Sequence, residues 1–278
     1  MNALFNFKRW LLLVGLHWAE NRRTYLLALI AIGGLLLVWF SFIIAMDRNS
    51  ALSKGYQVTA YFVGLYFIGC LFGSQVFSVV NRKREAIQYL MVPASHLEKL
   101  LCGLLFGVVF FFIVYTGLFY LVDIPLVRLM ERVPGVNPGR AVVNIMDEKL
   151  GVYNVFSSKD DYMKGLGPLL LLIFFSVQAA FILGSVYFTR LAVLKSILSI
   201  LLLCLLSTLF LSKVLNANLP DGWRLDSLFD WFRFDPAGAG EWVRLPSSVG
   251  DTLSALAMFG LPFIFWVVTY FRLKEKEV

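Results

Sequence analysis

Long apolar stretches separated by short charged connections dominate the chain, and their lengths set the first expectation. The stretches at 24–46, 55–80, 100–122, 165–189, 196–213 and 252–271 contain no Asp, Glu, Lys, Arg or His, Lys213 at one edge excepted. A helix needs about 20 residues at about 1.5 Å rise each to cross about 30 Å of hydrocarbon. All six stretches reach that length or fall just short; the fifth is the shortest and needs Lys195 and Lys213 to snorkel at its ends. The pattern predicts an all-α polytopic membrane protein, residues 1–278 forming a single transmembrane domain of six helices.

Between and before these stretches the pattern changes. Over residues 4–22, Phe5, Leu12, Leu16 and Ala19 are spaced roughly as one helical face among Lys8, Arg9 and Glu20. That predicts an amphipathic helix lying on the membrane surface rather than crossing it. Residues 123–164 and 214–251 are long enough to fold outside the membrane, on the far side from the termini. Within the second, LPDGWRLDSLFDWFRFD reads either as a short interfacial amphipathic helix or as aromatic residues capping the bundle at headgroup level. Inside the spans, Gly69 and Gly73, Gly103 and Gly107, and Ala180 and Gly184 are four residues apart, a spacing that lets helices approach closely. Pro168 suits a first helical turn, and Pro262 falls mid-span, where a kink is expected.

Charge then supplies an orientation. Of 278 residues, 59% are hydrophobic and only 15% charged, against about a quarter in an ordinary soluble domain. With six spans both termini share a side. Segments on that side carry 13 basic and 5 acidic residues, crowded close to the span ends; the opposite side carries 12 basic and 13 acidic. The positive-inside rule weights short loops, so both termini are expected in the cytoplasm. The net charge of +7 therefore reads as a membrane-sidedness signal, with membrane lipids rather than nucleic acid as its counterpart. Cys70, Cys102 and Cys204 all lie in apolar stretches, as packing residues rather than a disulfide framework. The N-terminal segment lacks the small-residue cleavage site of a signal peptide.

Catalytic chemistry finds little to use. There is no G-x-x-x-x-G-K-[ST] phosphate-binding loop, so the chain itself is not expected to hydrolyse ATP. The two histidines, His17 and His96, make no metal-binding cluster, and no catalytic or metal residue is assigned. Carriers driven by ions usually keep an ionisable group at membrane depth. Here Gln75 and Gln178 are the strongly polar side chains deep in spans, serving either as interhelical hydrogen-bond partners or as the lining of a translocation path.

The connection NRKREAIQYLMVPASHLEK stands apart. A basic cluster is followed by Ala86, Ile87, Tyr89, Leu90 and Met91, then by Pro93. Residues before proline are pushed toward extended geometry, so a short helix should end near Met91 or Val92. Ser95 followed by Glu98 forms a capping box that opens the third span. Positive charge alone would fix orientation and nothing more. An apolar cluster in an aqueous loop, however, should be buried against something. The expected docking residues are Arg82, Arg84, Glu85, Tyr89, Leu90, Met91 and Pro93.

With Arg84, Glu85, Leu90, Pro93, Ser95 and Lys99 in this order, and with MVPASHLEKLL in particular, the chain resembles bacterial membrane subunits of the second ABC export superfamily. The resemblance covers the whole topology, while its motif covers about twenty residues. It implies a cytosolic coupling helix around 83–92 that inserts into a separate ABC ATPase subunit, present in two copies. It further implies a second permease chain, the same or paralogous, and ATP and Mg bound by the partner rather than by this chain. The N-terminal helix would be a connecting helix touching the same ATPase, Arg190 to Lys195 a minor contact, and the location the bacterial cytoplasmic (inner) membrane. The 123–164 segment is longer than in the simplest members, and no fused ATPase is expected. Two other functions compete: a non-transporting scaffold or assembly subunit of an envelope complex, and an interfacial lipid enzyme drawing acids from Asp160, Asp161 and Tyr162.

Overall fold

The computed structural model describes residues 5–46, 54–131, 152–155, 166–210, 213, 223–225, 231–234, 241–244 and 247–276. The helices are α1 (Phe7–Met46), α2 (Lys54–Gly73), α3 (Lys83–Met91), α4 (His96–Leu104), α5 (Phe111–Glu131), α6 (Leu166–Tyr187), α7 (Ala192–Leu209) and α8 (Ser247–Glu275). A 3₁₀ turn, Ser78–Asn81, precedes α3, and a π-helical stretch, Leu105–Phe110, joins α4 to α5. Five helical rods among the described residues are long and apolar enough to cross a membrane: Phe7–Met46, Lys54–Asn81, His96–Met130, Gly167–Tyr187 and Ala192–Leu209. The sixth expected span, 252–271, is helical as well, inside α8, which runs on through Pro262. The chain is a multi-pass helical membrane protein.

Packing explains the layout. The main core lies between α1, α2, α5 and α6, where Phe40, Tyr61, Leu65, Tyr115, Phe119 and Phe174 are fully buried. α6 runs along α8, α2 and α7. Glycines permit the close approaches: a methyl group at Gly69 would sit 2.5 Å from the Phe174 ring, and one at Gly107 would sit 2.7 Å from the Val76 side chain. By contrast α7 shows Leu198, Leu201, Leu202, Leu205 and Leu206 to its surroundings and buries only Ser196. A helix apolar on every side and exposed on most of them is built to face lipid or another helix.

Four sequence expectations change. The amphipathic segment 4–22 is not a separate surface helix in this structure: α1 runs unbroken for 40 residues, about 60 Å at helical rise, and no glycine or proline interrupts it between Ala19 and Thr24. The second span reaches Asn81, close to the expected 80, but its regular α-helix ends at Gly73. Beyond it the Ser74 and Ser78 hydroxyls bond back to the Leu71 and Gln75 carbonyls, and the chain tightens into 3₁₀ geometry.

The third helix, expected to stop at 122, continues to Glu131 and carries Asp123 inside its buried face. Residues 152–155 then return into the bundle, where Tyr153 N donates to Gln57 Oε1 (2.8 Å) and Val155 N to Tyr120 Oη (2.9 Å). Finally, part of the 214–251 segment is a small sheet in an otherwise helical fold. Trp223–Leu225 (β1), Trp231–Phe234 (β2) and Glu241–Arg244 (β3) form an antiparallel sheet in that order. Trp223 pairs with Phe234, and Phe232 with Val243, in place of the interfacial helix. Aromatic and β-branched residues favour the pleated surface, and Pro236, Gly238 and Gly240 between β2 and β3 oppose a helix. Residues Asp160, Asp161 and Tyr162 lie outside the described residues.

Asp123 is completely buried, and neither carboxylate oxygen has a hydrogen-bond partner among the described residues. An unpaired buried polar group costs about 1–3 kcal/mol. Replacing it with a similar apolar volume, Asp123→Leu, is expected to raise the thermal midpoint of the purified protein by several degrees, about what 1–2 kcal/mol gives. A lowered midpoint would mean that the carboxyl is satisfied in the folded protein.

Candidate docking site

The elbow between the second and third spans is a separate small helix held from both ends. Arg82, at extended φ −97°, ψ 107°, stands before α3, and its guanidinium Nη1 donates to both Glu85 carboxylate oxygens at 3.1 Å. Pro93 forces Val92 to φ −59°, ψ 125°, so α3 stops at Met91. The capping box forms as the spacing predicts. Glu98 N donates to Ser95 Oγ (3.2 Å), and Ser95 N donates to Glu98 Oε2 (2.9 Å).

Glu98 does more than close that box. Its other oxygen, Oε1, accepts from Asn6 N (2.7 Å) and Arg9 Nη2 (3.0 Å), and the side chain is fully covered. One carboxylate thus takes three hydrogen bonds, two of them from residues 89 and 92 positions earlier in the chain. It ties the start of α1 to the α3–α4 elbow. Charge-assisted bonds of this kind are roughly twice as strong as neutral ones.

A second polar clamp holds the side facing α6 and α8. The last carbonyls of α6 lack intrahelical partners, as at any helix C-terminus. Asn81 Nδ2 donates to Ser185 O (2.6 Å) and Phe188 O (3.0 Å), while Lys276 Nζ donates to Val186 O (2.7 Å) and to Asn81 Oδ1. A cation at this end also complements the helix dipole. Burial, and then the charge of Arg272, hold Lys276 below the usual lysine pKa. The neighbouring α6–α7 turn passes through Leu191 in left-handed geometry, φ 54°.

The expected docking residues separate into different roles. Tyr89 is half-buried and packs against the core cluster that includes Phe77, Val80 and Leu100, with Lys99 Nζ 5.6 Å from its ring. Its aromatic bulk is the anchor of α3 rather than its outer surface. Met91 is 78% exposed, and one turn earlier Ile87 is 61% exposed, so these two present the free apolar stripe. Sequence reasoning named Met91 but not Ile87, although their i, i+4 spacing was visible. Arg82, Glu85 and Pro93 are at least partly accessible; the side chains of Arg84 and Leu90 lie outside the described residues.

The two glutamines also part company. Gln178 is fully buried and donates Nε2 to Gly107 O (2.7 Å), a carbonyl within the π-helical stretch, while its Oε1 has no partner among the described residues. It joins α6 to the irregular turn of the third span, the hydrogen-bonding alternative of the two. Gln75 is exposed and lines a cavity beside the elbow.

No family model matches the chain, nor does any curated protein or solved structure. The elbow must be judged by its own geometry.

Removing Glu98 tests that geometry. Glu98→Ala strands the Asn6 and Ser95 amides and the Arg9 guanidinium, and is expected to cost about 2–4 kcal/mol. Trypsin should then cut after Lys8, Arg9, Arg22 or Arg23 at least several-fold faster, with the rest of the chain unaffected. Arg9→Ala, which removes one partly exposed donor, should have the smaller effect.

Proposed function

We propose that this chain is the membrane-spanning subunit of an ATP-driven exporter of the ABC type, worked by a separate ATPase that docks on the elbow at 82–99. On this reading the sixth crossing is made by α8, both termini lie on the ATPase side, and the location is the bacterial inner membrane. The observation that carries the proposal is α3 itself. It is anchored on one side by Tyr89, clamped before and after by Asn81 and Glu98, and left with Ile87 and Met91 exposed beside the Arg82–Glu85 pair. A loop needed only for orientation requires charge. It does not require an apolar stripe on a braced helix.

The remaining architecture is consistent with this role. A rigid helix fixed to several spans moves them together when pushed, which is how a small displacement becomes domain rocking. Nucleotide and Mg would be held entirely by the partner, in two copies, and the exposed leucine face of α7 offers a surface for lipid or for a second permease chain.

The test is co-expression with an ATPase of the phosphate-binding-loop class encoded beside the gene. Met91→Asp and Ile87→Asp, both at exposed positions, are expected to cut co-purified ATPase at least about tenfold, as loss of an apolar anchor of 1.5–3 kcal/mol would. Thermal stability should be unchanged. Wild-type ATPase recovery with both variants would refute docking at α3, and nucleotide-independent transport by the chain alone in vesicles would refute the exporter reading.

A further inference from the structure

A cavity of about 380 Å³ lies between the first half of α1, the 3₁₀ turn with α3, and α4 with the π-helical stretch. That size suits one small molecule. Its aromatic walls include Tyr25, Phe72, Tyr89 and Phe106. Its polar groups include Glu20, Gln75, Glu85 and Gln88.

The chemistry of this lining is one-sided. Two carboxylates line the cavity, and no Lys or Arg is among its described lining residues; Arg22 and Arg23 lie on the same helix but do not line it, and the side chains of Lys83 and Arg84 lie outside the described residues. Glu85 shares its charge with Arg82. Glu20 has no ion pair or hydrogen bond among the described residues, and the side chains of Gln75 and Gln88 have none either. His17 and Asn21 are spent within α1: the His17 ring nitrogen meets Tyr25 Oη at 2.7 Å, and Asn21 Nδ2 donates to His17 O. One carboxylate and two amides without partners among the described residues therefore sit beside aromatic walls, close to where α1 turns apolar at Thr24. Carboxylates attract a cation, aromatic faces add to that attraction, and the apolar remainder suits a hydrocarbon body.

We propose that this cavity binds an amphiphilic organic cation, its charged head at Glu20 and Glu85 and its apolar body against Phe72 and Phe106. The ligand would touch α1 and α3 at once, so its occupancy would stiffen the braced elbow. Gln75 and Gln88 select heads that offer or accept hydrogen bonds, while the Glu20 carboxylate disfavours an anion. The proposal stands apart from the docking reading, because binding needs neither nucleotide nor partner.

The test uses the full chain in nanodiscs of zwitterionic lipid, with radiolabelled tetraphenylphosphonium as probe and empty nanodiscs as background. Saturable binding is expected at one site per chain. Glu20→Gln should weaken it about tenfold, the worth of one charge-assisted contact. Glu20→Lys should abolish it, and Gln88→Trp, which fills the space without altering a carboxylate, should do the same. Glu275→Gln, a carboxylate outside the cavity, should leave binding unchanged. Dodecyltrimethylammonium should compete, and tetraphenylborate, of like size and opposite charge, should not. The proposal fails if binding does not exceed that of empty nanodiscs, if the borate competes equally, or if Glu20→Lys and Gln88→Trp bind as the parent does.

Discussion

The carboxylate of Glu98 is the constraint on which the arrangement at this end of the molecule depends. It caps the third span through Ser95 and captures the start of α1 through Asn6 and Arg9, at no exposure. A charge removed from water is costly unless it is fully paired, and three donors meet that condition here. Because those donors belong to distant parts of the chain, the residue cannot be satisfied locally. The first helix and the elbow must come together for Glu98 to be buried at all. The wall that α1 contributes to the cavity behind the elbow is held in place beside that closure.

Much of this was readable from residue order alone. Stretches of some twenty uncharged residues leave little choice but membrane helices, and Pro93 and Ser95-x-x-Glu98 are local signals whose mechanism acts within a few residues. These placed the end of α3 and the start of α4 correctly. What could not be read depended on distant partners. The capping box announced that Glu98 would bond Ser95 but not that Asn6 and Arg9 would share it. Tyr89 looked like a surface aromatic in a polar connection, and only the folded cluster around Phe77 and Leu100 shows that it is half-buried against the bundle. Asp123 sat one residue past an apolar limit and was counted as loop, whereas the helix simply continued through it. The sheet in the 214–251 segment was missed for a different reason. A run of aromatics among charges fits a helical face and a strand pair about equally well until the register is known.

The two polar clamps differ in kind, and the difference bears on how the proposed lever could move. The Glu98 clamp joins helix starts through a buried charge, so it opens only at considerable cost. The Asn81–Lys276 clamp ends on backbone carbonyls of α6, groups that water can replace where they are accessible. A push on α3 would therefore carry α1 and α4 along with it and slip first against α6 and α8.

The π-helical stretch gives that slip a place to go. Leu105–Phe110 lies directly above α4, and its Gly107 carbonyl is held by Gln178 of α6. Widened turns of this type are less regular than the helix on either side and recur where helices must adjust. Val76 packs where a side chain on Gly107 would otherwise be, so the turn below the elbow and the irregular turn of the third span meet in direct contact. A displacement of the elbow reaches that contact before it reaches the core around Tyr61 and Phe119, whose rings interlock with α1 and α5 and resist distortion. The compliant layer thus lies between a stiff handle and a stiff core. That ordering is what transmission from the proposed docking helix to the helical bundle would require.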